Sequence, residues 1–258
     1  MGPLVAFDLV GPMAHFRKFY TNSSSLSYHV PPRTTLMGVI AALLEWRRDT
    51  YYQRLSLDKA RIGVALKVPV RTIVQKVNLL ATDDKDWHGA KSRTQIPTEW
   101  VLPKEVALSS LLRYRVFFQH EDASVTRDVG ERVMVLRYAY PLFLGAAFCP
   151  AWVENGRLYE EGEIQWASDT QPALVDTVVL TNRITESSRL VAPGIRILPD
   201  QMPLDFHPDR TLRAVAPVLW EDNGKPLRLS VTGTRFHLPD DPLNLWHVFL
   251  EEAGDAAG

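Results

Sequence analysis

Through residues 4–145 the chain alternates strand-like and helix-like runs in one order, and that order constrains the fold more than any other feature. Leu4-Val5-Ala6-Phe7-Asp8-Leu9-Val10 is β-rich and closed by Gly11-Pro12, so it reads as a first strand. After a polar loop, Pro31-Pro32 and the candidate cap Thr34-Thr35 introduce a helix over 36–46. Its apolar positions run nearly all round, which predicts burial, and Gly38 within it predicts close approach to a neighbouring sheet. Arg61-Ile62-Gly63-Val64-Ala65-Leu66-Lys67-Val68 reads as the next strand. Residues 69–102 follow as an arm: an extended outgoing run, a highly charged tip at 81–93 and a return from Thr94, the pattern of a long β-hairpin. Residues 111–118 (LLRYRVFF) give the strongest strand signal in the chain. Ser124 caps a second expected helix over 124–138, with Arg127 and Glu131 spaced to pair and Val129, Val133 and Leu136 facing inward. Residues 141–145 then read as a short buried strand ending in Gly145. The order β-α-β-(arm)-β-α-β is that of a ferredoxin-like or RRM-like domain, and right-handed crossovers place both helices on one face of the sheet.

From Pro150 the pattern changes to short β runs with turn signals at Asn155-Gly156, Asp222-Asn223-Gly224 and Pro239-Asp240-Asp241-Pro242. The expected architecture is therefore α+β. A modified ferredoxin-like/RRM-like domain over 1–150 carries the long β-hairpin arm at about 69–102, and a smaller β-rich C-terminal lobe covers 151–258. A length of 258 residues allows one substantial core, or a full domain plus a smaller one. The single cysteine, Cys149, excludes a disulfide framework and a cysteine-based zinc site and suits a reducing cytoplasm. The longest wholly apolar run, 36–44, is nine residues and too short for a bilayer. The start Met1-Gly2-Pro3 lacks the features of a signal peptide, so the expected setting is cytoplasmic and away from membranes. The tail beyond Glu251 is expected to fray.

The net charge of −1 is unevenly spread. Residues 1–120 hold 17 Lys+Arg and 9 Asp+Glu, giving +8, while residues 121–258 hold 12 and 21, giving −9. Residues 9–44 contain no acid at all, yet include His15, Arg17, Lys18, His29 and Arg33. Interleaved with these are Phe16, Tyr20, Tyr28 and a hydroxyl and amide run over 21–27. Cations for phosphates, rings for unstacked bases and small polar groups for a ribose 2′-OH compose a surface suited to single-stranded RNA. A basic front and an acidic rear imply a polyanion on one side and a basic partner on the other. The alternative is a partition of charge that folding redistributes.

The run Phe7-Asp8-Leu9-x-Gly11-Pro12-x-Ala14-His15-Phe16-Arg17, the Ser/Thr-rich loop, Tyr28, Pro31-Pro32-Arg33-Thr34-Thr35 and a helix bearing Gly38 together resemble the Cas-five family. These are CRISPR-associated proteins of the RAMP superfamily, found in type I Cascade surveillance complexes. Thr94-Gln95-Ile96-Pro97 and Tyr140-Pro141-Leu142-Phe143-Leu144-Gly145 add similarities in the same order, so the resemblance covers roughly residues 4–149; the nearest subtype is type I-B. The resemblance implies a non-catalytic RNA-binding subunit that holds the 5′ handle of the CRISPR guide RNA and caps the complex. It also implies an arm, called the thumb, that kinks the guide. The implied partners are the Cascade backbone subunit, the Cascade large subunit and target DNA within the complex, with no cofactor and no metal.

On this reading the front loop supplies His15, Phe16, Arg17, Lys18, Tyr20, Thr21, Asn22, Ser23 and Tyr28. Arg17 and Lys18 reach consecutive phosphates, while Phe16, Tyr20 and Tyr28 stack bases; the alternative for Phe16 and Tyr28 is that they anchor the loop. Arg33 and Thr34 sit at a helix start, where free N–H groups favour an anion. The arm supplies Arg71, Gln75, Lys76, Asn78 and Gln95, or else grips a neighbouring subunit. Asn22, Gln75, Asn78 and Gln95 are the amides available for base edges. An enzymatic alternative is a metal-independent endoribonuclease processing CRISPR repeat RNA, which needs a general base for the 2′-OH and a cation or acid for developing charge. The trios His88 with Lys85 and Lys91, His120 with Arg113 and Arg115, and His15 with Lys18 and Tyr20 all offer these groups, and no spacing singles one out. Asp83, Asp84 and Asp86 read as a solvated tip rather than a metal site, and no HExxH, CxxC, Walker-type or dinucleotide glycine motif occurs.

Overall fold

A computed structural model describes residues 2–80, 93–185 and 193–251. Its elements begin with β1 (Leu4–Gly11), β2 (Phe16–Arg17), β3 (Ser27–Tyr28), α1 (Arg33–Leu43), β4 (Ala60–Leu66) and β5 (Val70–Leu80). They continue with β6 (Arg93–Pro103), β7 (Leu112–His120), α2 (Ala123–Val135), β8 (Leu142–Phe143) and β9 (Pro150–Tyr159). The main sheet has the order β4-β7-β1-β9-β8 and is antiparallel throughout. β1 is buried along its whole length because both sheet faces are covered. Val5, Phe7 and Leu9 join Leu36, Ile40, Val129 and Val133 of the helices, whereas Leu4 and Ala6, alternating to the opposite face, meet Phe117, Tyr159 and Phe236.

α1 starts earlier than the expected residue 36. Pro32 is its N-cap, and the Pro32 carbonyl accepts from the N–H groups of Thr35 and Leu36. Thr34 and Thr35 therefore lie in the first turn and cap nothing, since the proline ring already sets the entry angle. The nearest neighbour of Gly38 is the Tyr51 hydroxyl rather than a sheet. α2 is capped by Asp122, whose carboxylate accepts from the Ser124 N–H at 2.9 Å. Val129 and Val133 face inward as expected, but Leu136 is the exposed, left-handed C-cap. Arg127 pairs with Glu160 across to β9, not with Glu131.

β9 lies beyond the expected break at residue 150 and pairs with β1 from Leu4↔Tyr159 to Val10↔Trp152. Asn155-Gly156, which reads as a turn in sequence, is a bulge inside β9. The register shifts there, Asn155 adopts φ 51° and its amide donates to Asp8. The later strands are β10 (Gln165–Ala167), β11 (Ala173–Val175), β12 (Val179–Leu180), β13 (Ile197–Phe206), β14 (Leu212–Glu221), β15 (Leu227–Leu229), β16 (Arg235–His237) and β17 (Trp246–His247). They form the sheets β10-β16-β17-β11-β15 and β12-β14-β13. Phe236, Leu238 and Phe249 cover the back of the main sheet, while Met202, Leu204, Val218 and Trp220 enter the same core as α1. The whole is α+β, and the strands after Tyr159 share both apolar cores with those before it.

The arm is β5 and β6, paired from Val70↔Pro103 to Leu80↔Arg93 as a two-stranded sheet of their own. Residues 81–92, with Asp83, Asp84, Lys85, Asp86, His88 and Lys91, lie outside the described residues, as do those after Glu251. No helix among the described residues is long and apolar enough to cross a membrane.

Candidate nucleic-acid interface

The acid-free loop after β1 is tied to the base of the arm. β2 and β3 pair as a small ribbon, Phe16↔Tyr28 and Arg17↔Ser27. Beside them, Ala14 and Val101 of β6 exchange two backbone hydrogen bonds of 2.9 Å, Ser25 N–H donates to Pro97 O at 2.8 Å, and Glu99 N–H donates to Ser25 O at 2.9 Å. His15 is buried within this brace. Its Nδ1 donates to the Glu99 carbonyl and its Nε2 accepts from the Ser25 hydroxyl, each at 2.8 Å. Burial lowers the His15 pKa, so the ring that forms these bonds is neutral. Gly145 closes the other side. With φ +87° and only 2.1 Å between a notional Cβ and the His15 carbonyl, the position excludes every side chain.

This bracing removes several expected RNA contacts. Phe16 and Tyr28 are 2% and 0% exposed. Phe16 meets Tyr114 edge-on at 5.8 Å, and the Tyr28 hydroxyl donates to Gln201 O at 2.5 Å. They anchor the loop, at about 1.5–3 kcal/mol of burial apiece, and cannot stack bases. Arg33 is also a correction. Its guanidinium is fully buried, paired with Glu251, and donates to the carbonyls of Leu204, Leu55, Ser56 and Ala60. Every nitrogen is spoken for, and no phosphate reaches it. His15 leaves the interface for the same reason.

The other basic side chains of the front half are largely answered by acids from later in the chain. Lys18 pairs with Asp200 at 2.7 Å, His29 with Asp222 at 2.5 Å, Lys67 with Asp176 at 2.8 Å and Arg113 with Glu154 at 2.7 Å. The opposite charges of the two halves are thus in good part complementary surfaces of one fold. Burial alone would lower the Lys18 pKa, but its hydrogen bond and attraction to Asp200 more than reverse this. Lys18 also lies 5.9 Å and 5.6 Å from the ring centres of Tyr20 and Tyr28. Tyr20 is 47% exposed, with Phe19 edge-on at 5.2 Å, and its hydroxyl donates to Asp200 at 2.6 Å.

Arg17 is different. It is exposed and, among the described residues, pairs with no carboxylate; its guanidinium makes one 3.4 Å contact, to Thr21 O. It borders a 630 Å³ cleft with Phe19, Thr34, Tyr51, Tyr52 and Arg210. The cleft opens at the start of α1, whose first N–H groups have no partner within the helix. Thr21 donates its hydroxyl back to Lys18 O, and Asn22 and Ser23 are exposed. On the arm, the register puts Arg71, Ile73 and Gln75 on one face with Trp100, and Lys76, Asn78 and Gln95 on the other. The Gln95 amide donates to the Asn78 side chain at 2.9 Å. Sequence reasoning missed Phe19, Tyr51 and Arg210, the last of which pairs with Asp49 at 3.8 Å, while Tyr52 is buried and donates its hydroxyl to the same carboxylate. The adjacent tyrosines were a visible signal, whereas Arg210 arrives from a hairpin turn in which it takes φ 68°.

Of the histidine trios, His120 spends Nε2 donating to Arg54 O at 2.8 Å and Nδ1 accepting from Asp122 N–H at 3.0 Å. Arg113 and Arg115 lie further back along β7, on its opposite face, and are both held by Asp8, so this trio is not brought together. Among the described residues no group of His, Cys, Asp and Glu side chains is arranged to hold a metal ion.

The chain is similar in structure to a CRISPR protein from Archaeoglobus fulgidus, with 11% identity and a TM-score of 0.58, covering 96% of this chain and 98% of that one. It is also similar to a chain of a CRISPR RNA-guided surveillance complex, with 14% identity and a TM-score of 0.46, over 88% of this chain and 91% of the other. None of the curated proteins matches it. Residues 4–213 match the family described as CRISPR-associated protein (Cas_Cas5), a span that runs from β1 through both helices and the arm to the start of β14. The chain belongs to the Cas5 family of CRISPR-associated proteins.

Proposed function

We propose that this protein is a non-catalytic RNA-binding subunit of a type I CRISPR Cascade effector complex, nearest to type I-B, and that it holds the 5′ handle of the guide RNA and caps the assembly. The observation that carries the reading is Arg17. It is an exposed guanidinium with no carboxylate partner among the described residues, on a loop hydrogen-bonded to the arm, beside a cleft that runs along α1. A single strand entering the cleft meets a cation for its phosphates and the Phe19 and Tyr51 rings for its bases. The sheet order β4-β7-β1-β9, with both helices contributing to one core, supports a modified ferredoxin-like or RRM-like domain. The backbone and large subunits are the protein partners on this reading, with target DNA inside the complex. His15 and His120 have both ring nitrogens engaged in structural hydrogen bonds, which favours binding over repeat-RNA cleavage.

Labelled repeat RNA in EDTA, on paired native and denaturing gels, tests this with wild type, Arg17→Ala and His88→Ala. The expected result is a shift without cleavage that weakens in Arg17→Ala equally for different sequences, because phosphate contacts carry no base information. Specific cleavage in EDTA that a histidine substitution abolishes would make the protein a ribonuclease instead.

A further inference from the structure

Trp100 stands between two rings at the foot of the arm. His15 lies on one side with centroids 5.4 Å apart, and Phe148 lies on the other at 5.2 Å. The two ends of this series differ. His15 is buried, whereas Phe148 is 61% exposed. Phe148 sits in the turn between β8 and β9, but that turn is pinned: Leu144 N–H donates to Cys149 O at 2.8 Å, Cys149 N–H to Ala146 O at 2.9 Å, and His15 N–H to Leu144 O at 3.0 Å. The ring is therefore held out to solvent on a fixed backbone and backed by a fixed indole.

Its surroundings are polar in a particular way. Arg71 is diagonal to Trp100 on the same face of the β5–β6 pair, and Gln75 follows on that face. Trp100 Nε1 and Arg71 Nε are both buried donors with no acceptor among the described residues. Arg71 pairs with no carboxylate among the described residues, and a fixed exposed ring with a guanidinium on the same face as its backing indole suits a ligand that brings both a flat π surface and an anionic phosphate. An apolar helix of a protein partner would bring no anion for Arg71.

We propose that Phe148 is a stacking platform for one nucleobase of the bound RNA, with Trp100 as its rigid backing and Arg71 directed to the adjoining phosphate. The proposal rests on the RNA-binding reading above and adds a site on the β8–β9 turn, whose Gly145 end borders the Arg17 cleft.

The test uses the full chain and repeat-derived RNA carrying 2-aminopurine at one position at a time. In wild type, fluorescence at one position is quenched beyond its neighbours. Phe148→Leu keeps an apolar side chain but removes the ring; it should abolish that quench and weaken binding about 5- to 150-fold. Phe148→Tyr should keep both, and an unchanged melting midpoint in each variant shows the fold intact. If Phe148→Leu leaves quench and affinity unchanged while Arg17→Ala weakens binding, the platform is refuted and the RNA-binding reading stands. If Phe148→Leu instead impairs only assembly with a neighbouring subunit, the ring is a protein contact and the proposal falls. Absence of RNA binding by wild type, alone and assembled, removes both.

Discussion

Arg17 and Arg33 look alike in sequence, since each is a cation in a stretch without acids, yet they have opposite fates. Glu251 makes the difference: it reaches Arg33 from 218 positions further along the chain, and no local pattern announces that. Arg33→Ala would strand a buried carboxylate and should cost about 3–5 kcal/mol in urea denaturation, whereas Arg17→Ala should change stability by less than about 0.5 kcal/mol while weakening RNA binding. A stable Arg33→Ala that lost only RNA affinity would contradict the structural role. His247 carries a second residue-scale prediction. It is buried between Asp176 at 2.7 Å and Asp241 at 3.5 Å, and Lys67 holds the other oxygen of Asp176 at 2.8 Å. Burial alone would lower the imidazole pKa, but the two carboxylates raise it above 6.5; burial alone would raise Asp176, but His247 and Lys67 bring it down to about 2. The raised histidine contributes stability that is complete below its unfolded pKa and is lost as pH rises through the folded one. The lowered aspartate contributes above its unfolded pKa and loses it as pH falls towards 2. The excess stability of wild type over His247→Gln should therefore peak between about pH 4 and 6.5 and shrink on both sides. A difference that grew above pH 8 would exclude the assignment.

At the scale of elements, strands and the arm were the readable part. Alternation and composition gave the arm as 69–102 against an observed β5–β6 pairing over 70–103, because an isolated hairpin needs both strands patterned on its own. Boundaries set by backbone geometry were less readable. Pro32 starts α1 without a side-chain cap, and Asn155-Gly156 bends a continuous strand instead of ending it, because the Asn155 amide is held by Asp8. The front loop was read as open RNA-facing surface, but its residues alternate between anchor and surface: Phe16 in, Arg17 out, Tyr28 in. The loop's own β2–β3 ribbon sets the alternation, but which face turns inward is set by Tyr114 and Gln201, which the loop sequence does not contain. Gly145 tests how much the brace matters. A side chain there would collide with the His15 backbone, so Gly145→Ala should destabilise by about 1–3 kcal/mol. It should also raise hydrogen exchange at the Ala14, Ser25 and Val101 amides and weaken RNA binding, since Gly145 borders the Arg17 cleft as well as the brace. Normal exchange at those amides in a folded Gly145→Ala would show that the loop holds without the arm.

Over the whole molecule, the +8 and −9 halves suggested a polyanion on one side and a basic partner on the other. The fold gives that asymmetry a different main use, because Lys18, His29, Arg33, Lys67 and Arg113 all find carboxylates from the second half. Charge counted along a chain measures what is available before folding, and an RNA senses only what is left afterwards. This separates two quantitative expectations for salt. If every cation of the front half met a phosphate, the dependence of log K on log[salt] would be very steep. If only the remaining ones do, such as Arg17 and Lys76 with part of the arm, three to five phosphates are neutralised and the slope should be about −2 to −3.5 for a single strand. Arg17→Ala should then flatten it by about 0.7, and Asp200→Asn, by releasing Lys18 from its partner, should steepen it by up to about the same amount. Equilibrium binding of repeat RNA between 50 and 300 mM salt, roughly the range in which such slopes are read, decides between the two. A slope beyond about −6 would mean that the internal ion pairs open when RNA arrives, and the complementary halves would then be a surface that RNA competes for.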